Sequence, residues 1–229
     1  MTRKRRPAAP DPAGPPQSRG LTLRATGVGK QVNETTLLAP VDVEVAPGQC
    51  LVLRGPNGSG KTTLLRILAG VMDPTAGELD LDGRAVDERT LHTRTNVAAL
   101  LGAPTTYRDL TLGDHLILID STWGRDPDTA WDRVDEMLDL LEIGHLAERF
   151  PHELSSGQQQ LFDLSMVLFR PSQVLLLDEP EQRLDTHKRE LLTRILLERK
   201  GSQVTMVVAC HNPEMTGELA DQVLDIVPA

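Results

Sequence analysis

The chain has 229 residues, 39% of them hydrophobic and 3% aromatic, with a formal net charge of -9. That length suits one domain with a subdomain and a substantial core, and the acidic balance argues against nucleic acid as the main partner, since phosphate backbones want a basic surface. Two cysteines exclude a disulfide framework, no apolar run is long enough to span a membrane, and there is no signal-peptide core.

Residues 1–20 carry Arg3, Lys4, Arg5 and Arg6, then prolines at 7, 10, 12, 15 and 16, a composition that predicts a disordered basic tail. Such a cluster can make weak contact with anionic lipid, although a solvated tail is the plainer expectation. Leu21–Thr26 and Val41–Val45 alternate as half-buried antiparallel strands do. Ala46-Pro47-Gly48 then turns the chain into Cys50-Leu51-Val52-Leu53, a short apolar run suited to a buried parallel strand. Cys50 opens that strand and Cys210 closes a later one, so a parallel sheet would keep the two thiols apart.

Gly55-Pro56-Asn57-Gly58-Ser59-Gly60-Lys61-Thr62-Thr63 follows, matching the spacing of a phosphate-cradling loop. Its glycines let backbone N–H groups turn toward an anion with no Cβ in the way. Lys61 would place a point charge on the β- and γ-phosphates, and the Thr62 hydroxyl would ligate Mg²⁺. Thr63 to Ala69 reads as a helix ended by Gly70, its N-terminus aimed at the phosphates. Asp73–Gly77 is a turn, Glu78–Gly83 an alternating strand with its own turn, and Asn96–Leu101 an apolar run of strand length.

Residues from about 104 to 170 change character and suggest a helical insertion. From Asp128 to Ile143, Trp131, Val134, Met137, Leu138 and Leu141 form one core-facing helical stripe. Val174-Leu175-Leu176-Leu177-Asp178-Glu179 sets four aliphatics before two carboxylates, as a central parallel strand with a ligand site past its C-terminal end would. Asp178 would hold Mg²⁺, partly through water, and Glu179 would accept a proton from an attacking water. Asp185 to Arg199 is helical and Val204 to Ala209 is another buried strand. After it, His211 is placed to bond the γ-phosphate, with Asn212 as a helix N-cap and Pro213 at the first helical position. A last strand is expected from Val223 to Val227.

Leu154-Ser155-Ser156-Gly157-Gln158 heads a predicted helix. With the glycine loop, the Leu-Leu-Leu-Asp-Glu-Pro strand end and the distal His211, this ordered set resembles the nucleotide-binding domain of ABC transporters over residues 21–229. The resemblance implies an α/β P-loop fold with a mixed sheet, an antiparallel β subdomain and an inserted helical subdomain at about 104–170. It implies ATP and Mg²⁺ as ligands, and a head-to-tail dimer, with itself or a homologous subunit, sandwiching two ATP molecules. In that dimer Ser155, Ser156, Gly157 and Gln158 would face the nucleotide of the other subunit, and Leu184-Asp185 would cross the interface. A separately encoded membrane permease would receive the motion, holding the chain on the cytoplasmic face of the membrane.

Several positions depart from that family pattern. Val32 falls where an aromatic usually stacks on adenine, and Gly102 where a Gln usually senses Mg²⁺ and the membrane partner. Gln159, Leu161 and Met166 replace residues that are often basic. Tyr107-Arg108-Asp109-Leu110-Thr111 and the short stretch after the last strand lean toward exporter ATPases. Two rivals stand beside the transport ATPase: a non-transport ABC-type ATPase acting in assembly, translation or repair, and a degenerate nucleotide binder paired with an active homologue. Adenylate kinases and other P-loop kinases lack the Leu-Ser-Ser-Gly-Gln element and are excluded.

Overall fold

The computed structural model describes residues 20–228. Except for Gly20, the expected tail, including Arg3, Lys4, Arg5 and Arg6, lies outside the described residues. Two strands open the fold, β1 (Leu23–Val32) and β2 (Thr35–Val45), followed by β3 (Cys50–Arg54) and α1 (Lys61–Leu68). Next come β4 (Ala76–Leu81), β5 (Arg84–Ala85), α2 (Leu91–Asn96) and β6 (Val97–Leu100). The helical block holds α3 (Leu112–Ser121), α4 (Ala130–Leu140) and α5 (Ser156–Leu168). The chain finishes with β7 (Val174–Asp178), α6 (Thr186–Gly201), β8 (Thr205–Ala209), α7 (Pro213–Leu219) and β9 (Gln222–Asp225).

The strands divide into an antiparallel sheet, β2-β1-β4-β5, and a parallel sheet, β6-β7-β8-β3-β9. β7 shows why its sequence is apolar throughout. Leu175 and Leu177 pack with the helical block, while Val174 and Leu176 pack with α1 and the antiparallel sheet. A strand covered on both faces has no polar side to display. α1 lies between the two sheets, with Leu64, Leu65, Ile67 and Leu68 buried, and Gly70 at φ 72° stops it.

Three sequence expectations change in detail. β1 and β2 run well past Thr26 and begin well before Val41, because register shifts around Gly27 (φ 60°) break the alternation that marks a strand. Trp131 stands at the rim of its stripe, 47% exposed, while Val134, Met137, Leu138 and Leu141 are buried. Its ring covers Gly113, where a Cβ would come within 2.7 Å of the indole. The last strand starts a residue earlier than expected and stops at Asp225.

Both cysteines are buried and free, at opposite ends of the paired strands β3 and β8. Burial pushes each thiol up to about 12. The helical block is pinned by a buried ion pair. The carboxylate of Asp120, on α3, accepts from Arg133 Nε of α4 at 3.1 Å and from Arg125 Nη1 at 3.2 Å. Burial alone would push that carboxyl up, but the two guanidiniums outweigh it and hold it below its usual range. Arg133→Leu leaves Asp120 buried with half its cationic partners. Urea unfolding is expected to show a loss of about 2 kcal/mol, because the cost of an under-compensated buried charge exceeds the net worth of the pair.

Candidate functional site

The C-terminal ends of the parallel strands bring the sequence-marked residues to one edge. The glycine loop follows β3, Gly102 follows β6, Asp178 ends β7 with Glu179 just beyond, and His211 follows β8. Crevices outside the carboxyl ends of strands are where open α/β sheets hold ligands.

The loop has the conformation its glycines permit. Gly55, Gly58 and Gly60 take φ of 145°, 80° and 108°. A Cβ on Gly55 would overlap the Ile226 carbonyl, and one on Gly60 would come within 2.7 Å of the Leu37 carbonyl. Gly60 is the N-cap of α1 and leaves the first-turn N–H groups without a side-chain acceptor. Ser59 Oγ is buried without a hydrogen-bond partner. Open donors on a positive helix end suit an anion. The ammonium of Lys61, itself buried, bridges the loop by donating to Gly55 O at 2.8 Å and Pro56 O at 3.1 Å. Gly58, Gly60 and Lys61, together with Asn57, Thr62, Thr63, Thr36 and Glu179, wall a cavity of about 520 Å³.

The Thr62 hydroxyl donates to Asp178 Oδ2 at 2.6 Å, joining loop and strand end. A hydroxyl and a carboxylate are hard oxygen donors suited to Mg²⁺. Among the described residues no group of three or more His, Cys, Asp or Glu could hold a metal alone. A metal here would therefore take oxygens from its substrate and water, as phosphate-bound Mg²⁺ does. One residue on, Glu179 turns the chain at φ 50°, its N–H donating to Ala209 O at 2.9 Å and its Oε1 lying 3.1 Å from His211 Nε2.

Other predicted positions stand apart. Val32 ends β1 opposite Thr35, exposed and outside the loop cavity, whose wall from that hairpin is Thr35, Thr36 and Leu37. Ser155, Ser156, Gly157 and Gln158 contribute nothing to that cavity within this chain. Ser155 and Gln158 instead form a capping box, with Ser155 N donating to Gln158 Oε1 at 2.9 Å. Asp185 likewise caps its own helix, accepting from Lys188 N at 2.8 Å. Gly102, at φ 114° with open space where a side chain would start, lines two hollows. One, of about 110 Å³, adjoins Asp178, Glu179, Gln160 and Asp163; the other, of about 890 Å³, runs beside the helical block past Leu118, Trp123 and Arg170.

Two residues that sequence reasoning passed over sit close to this edge. Asp163 carried a legible signal, a carboxylate inside the run Leu161-Phe162-Asp163-Leu164 on a helix whose other side is core. It is 4% exposed and bonded by Gln159 Nε2 at 2.7 Å. Glu181, in the turn after Glu179, is also buried, and nothing in its sequence surroundings marked it.

The parallel sheet, the glycine loop and the carboxylates beyond β7 define a P-loop NTPase domain. The sequence pattern of the ABC transporter family matches residues 38–182. The chain belongs to the ABC transporter family. It is 35% identical over 210 residues to a protein of Yersinia pseudotuberculosis named sulfate/thiosulfate import ATP-binding protein CysA, covering 89% of this chain and 57% of that protein. A Caulobacter vibrioides protein of the same name is 36% identical over 208 residues, covering 89% and 61%. The chain thus spans a little over half the length of these relatives. In fold it is similar to an ATP-binding subunit of an ABC transporter (TM-score 0.81, 22% identity, 90% of this chain and 85% of that one). A dimeric ATP-binding cassette in a post-hydrolysis state with ADP and Pi is equally near (TM-score 0.81, 21% identity, 90% and 94%). The exporter expectation finds no support among relatives named for import.

Burial pushes the Asp163 carboxyl up to about 6, outweighing the Gln159 hydrogen bond and the Arg183 charge. A carboxyl raised in the native state binds more protons there than when unfolded, so stability falls as pH rises from about 4 to about 6 and stays lower above that. Asp163→Asn is expected to stabilise the chain by about 2 kcal/mol at pH 7.5, a gain that shrinks on titration toward pH 5. Denaturation midpoints across that range check it; a gain independent of pH would contradict it.

Proposed function

We propose that this chain is the ATP-hydrolysing subunit of an ABC transporter, working on a separately encoded membrane permease. The observation that carries this is the Thr62–Asp178 contact, which joins the glycine loop to the carboxylate strand end beside the Glu179–His211 pair. Gly55 to Thr63 would wrap the ATP phosphates with backbone donors, and Lys61 would leave the loop carbonyls for the β- and γ-phosphate oxygens. Thr62 and Asp178 are the residues to hold Mg²⁺, which when bound neutralises charge on those oxygens. Glu179 would take the proton of the attacking water, while His211 holds the Glu179 carboxylate and bonds the γ-phosphate. The adenine would lie toward the β1–β2 hairpin, with Val32 offering an aliphatic edge in place of a stacking ring.

A second subunit completes the site in this reading. Ser155 and Gln158 are held as a helix cap away from the chain's own loop, which leaves the α5 N-terminus free to meet a nucleotide bound on a partner. Asp185 would then sit at the crossing between subunits. The hollow beside the helical block, next to Gly102, is the proposed seat of the permease. Among the described residues no helix is long and apolar enough to cross a membrane, so the permease would hold the chain at the cytoplasmic face. Cargo would be chosen by that partner, and no transport direction is assigned. A weakly active subunit paired with an active homologue is the second reading, favoured by Gly102, which gives Mg²⁺ and the permease no side chain to touch.

The purified chain, alone and with its co-expressed permease, is expected to hydrolyse ATP, with the permease changing the rate. Glu179→Gln should keep nucleotide affinity and lose at least about 100-fold in kcat, the usual share of a general base. Binding without turnover in either setting would favour the weakly active subunit, and failure to co-purify with any membrane protein would favour a non-transport ATPase.

A further inference from the structure

Glu181 is a buried carboxylate, 8% exposed, that the scheme above leaves unused. Its Oε1 accepts the backbone N–H of His211 at 2.8 Å, the N–H of Asn212 at 3.3 Å and the Cys210 thiol at 3.2 Å. Its Oε2 is buried without a partner. All three donors belong to the link between β8 and α7, a segment outside any strand or helix that carries His211. A buried carboxylate costs free energy unless donors compensate it, so its retention there has to be matched by what it holds. Burial, reinforced by the Glu181 charge, pushes the Cys210 thiol up to about 12, which keeps the proton on sulfur and the thiol a donor.

The turn that presents Glu181 is itself anchored. Gln160 of α5 donates to Pro180 O at 3.1 Å, and Leu184 N donates to Glu181 O at 3.3 Å. Glu179 and Glu181 therefore reach the same link from one turn: Glu179 meets the imidazole of His211, and Glu181 meets its backbone. With the backbone amide fixed, the imidazole has only its side-chain torsions left to vary.

Taking the chain to be an ATPase as above, we propose that Glu181 is a positioning residue whose carboxylate clamps the Cys210–Asn212 backbone and so keeps the His211 imidazole on Glu179. The test compares Glu181→Ala and Glu181→Gln in the parent and in a His211→Ala background, reading amide hydrogen exchange at His211 and Asn212 and steady-state ATP hydrolysis. Glu181→Ala is expected to speed exchange of both amides about tenfold or more, and to lower kcat about tenfold with KM within about twofold. Glu181→Gln keeps an acceptor oxygen and should bring both readouts back to within about threefold of the parent. In the His211→Ala background Glu181→Ala should cost no further kcat, because residues acting through one another are not additive. Unchanged amide exchange, an equal kcat loss in both backgrounds, or no rescue by Gln would each overturn the clamp. If the Ala variant does not fold, Glu181→Asp, one methylene too short, takes its place under the same expectations. A parent chain without turnover would defeat the ATPase reading alone, and the exchange measurement would still decide the clamp.

Discussion

The pairing of β7 with β8 places the candidate chemistry. Their parallel register sets Asp178 opposite Ala209, so Glu179, one residue beyond β7, and His211, two residues beyond β8, emerge at the same edge and meet. The same ladder continues through β3, whose C-terminal end releases the glycine loop beside them. Parallel strands need long crossovers, and here they carry the layers that cover both faces, the helical block on one side and α1 with the antiparallel sheet on the other. A residue shift in the ladder would move Glu179 away from His211 and turn every aliphatic of β7 toward the opposite layer of the core. Core and site thus depend on one hydrogen-bonded register.

How much of this was legible depends on whether function was written in a local pattern. The glycine loop, the aliphatic strand ending in Asp178 and Glu179, and the Asn212-Pro213 helix start each declare themselves within a few residues. The structure has them at those places, with cap, strand end and helix start as expected. The antiparallel strands were only half legible, because bulges near Gly27 interrupt the two-residue period. Trp131 obeyed the helical stripe, yet its size and position leave it on a rim over Gly113, which periodicity alone cannot report. Glu181 was invisible because its partners, two backbone amides and the Cys210 thiol, lie some thirty residues away, and a backbone amide has no signature in sequence.

Two features divide this chain's site from the pattern it resembles. Val32 puts an aliphatic where a stacking ring is expected and Gly102 removes the side chain expected to face the membrane partner, while Lys61, Thr62, Asp178, Glu179 and His211 keep the residue types of that pattern. Asp163 and Gln160 border the small hollow beside Gly102, so next to Asp178 and Glu179 polar side chains come from α5 where the stretch after β6 offers only Gly102 and Ala103. The contact between Gln160 and Pro180 ties that helix to the turn bearing both glutamates.

The two cysteines offer a practical benefit. Thiolate, not thiol, is the nucleophile, and both native sulfurs are enclosed with their ionisation displaced far above neutral pH. Maleimide and nitroxide reagents should therefore pass them by, and a cysteine introduced on the surface would be the site that reacts. The chain can be labelled for distance spectroscopy without first removing its own cysteines, which spares the Cys210 link beside His211 from substitution.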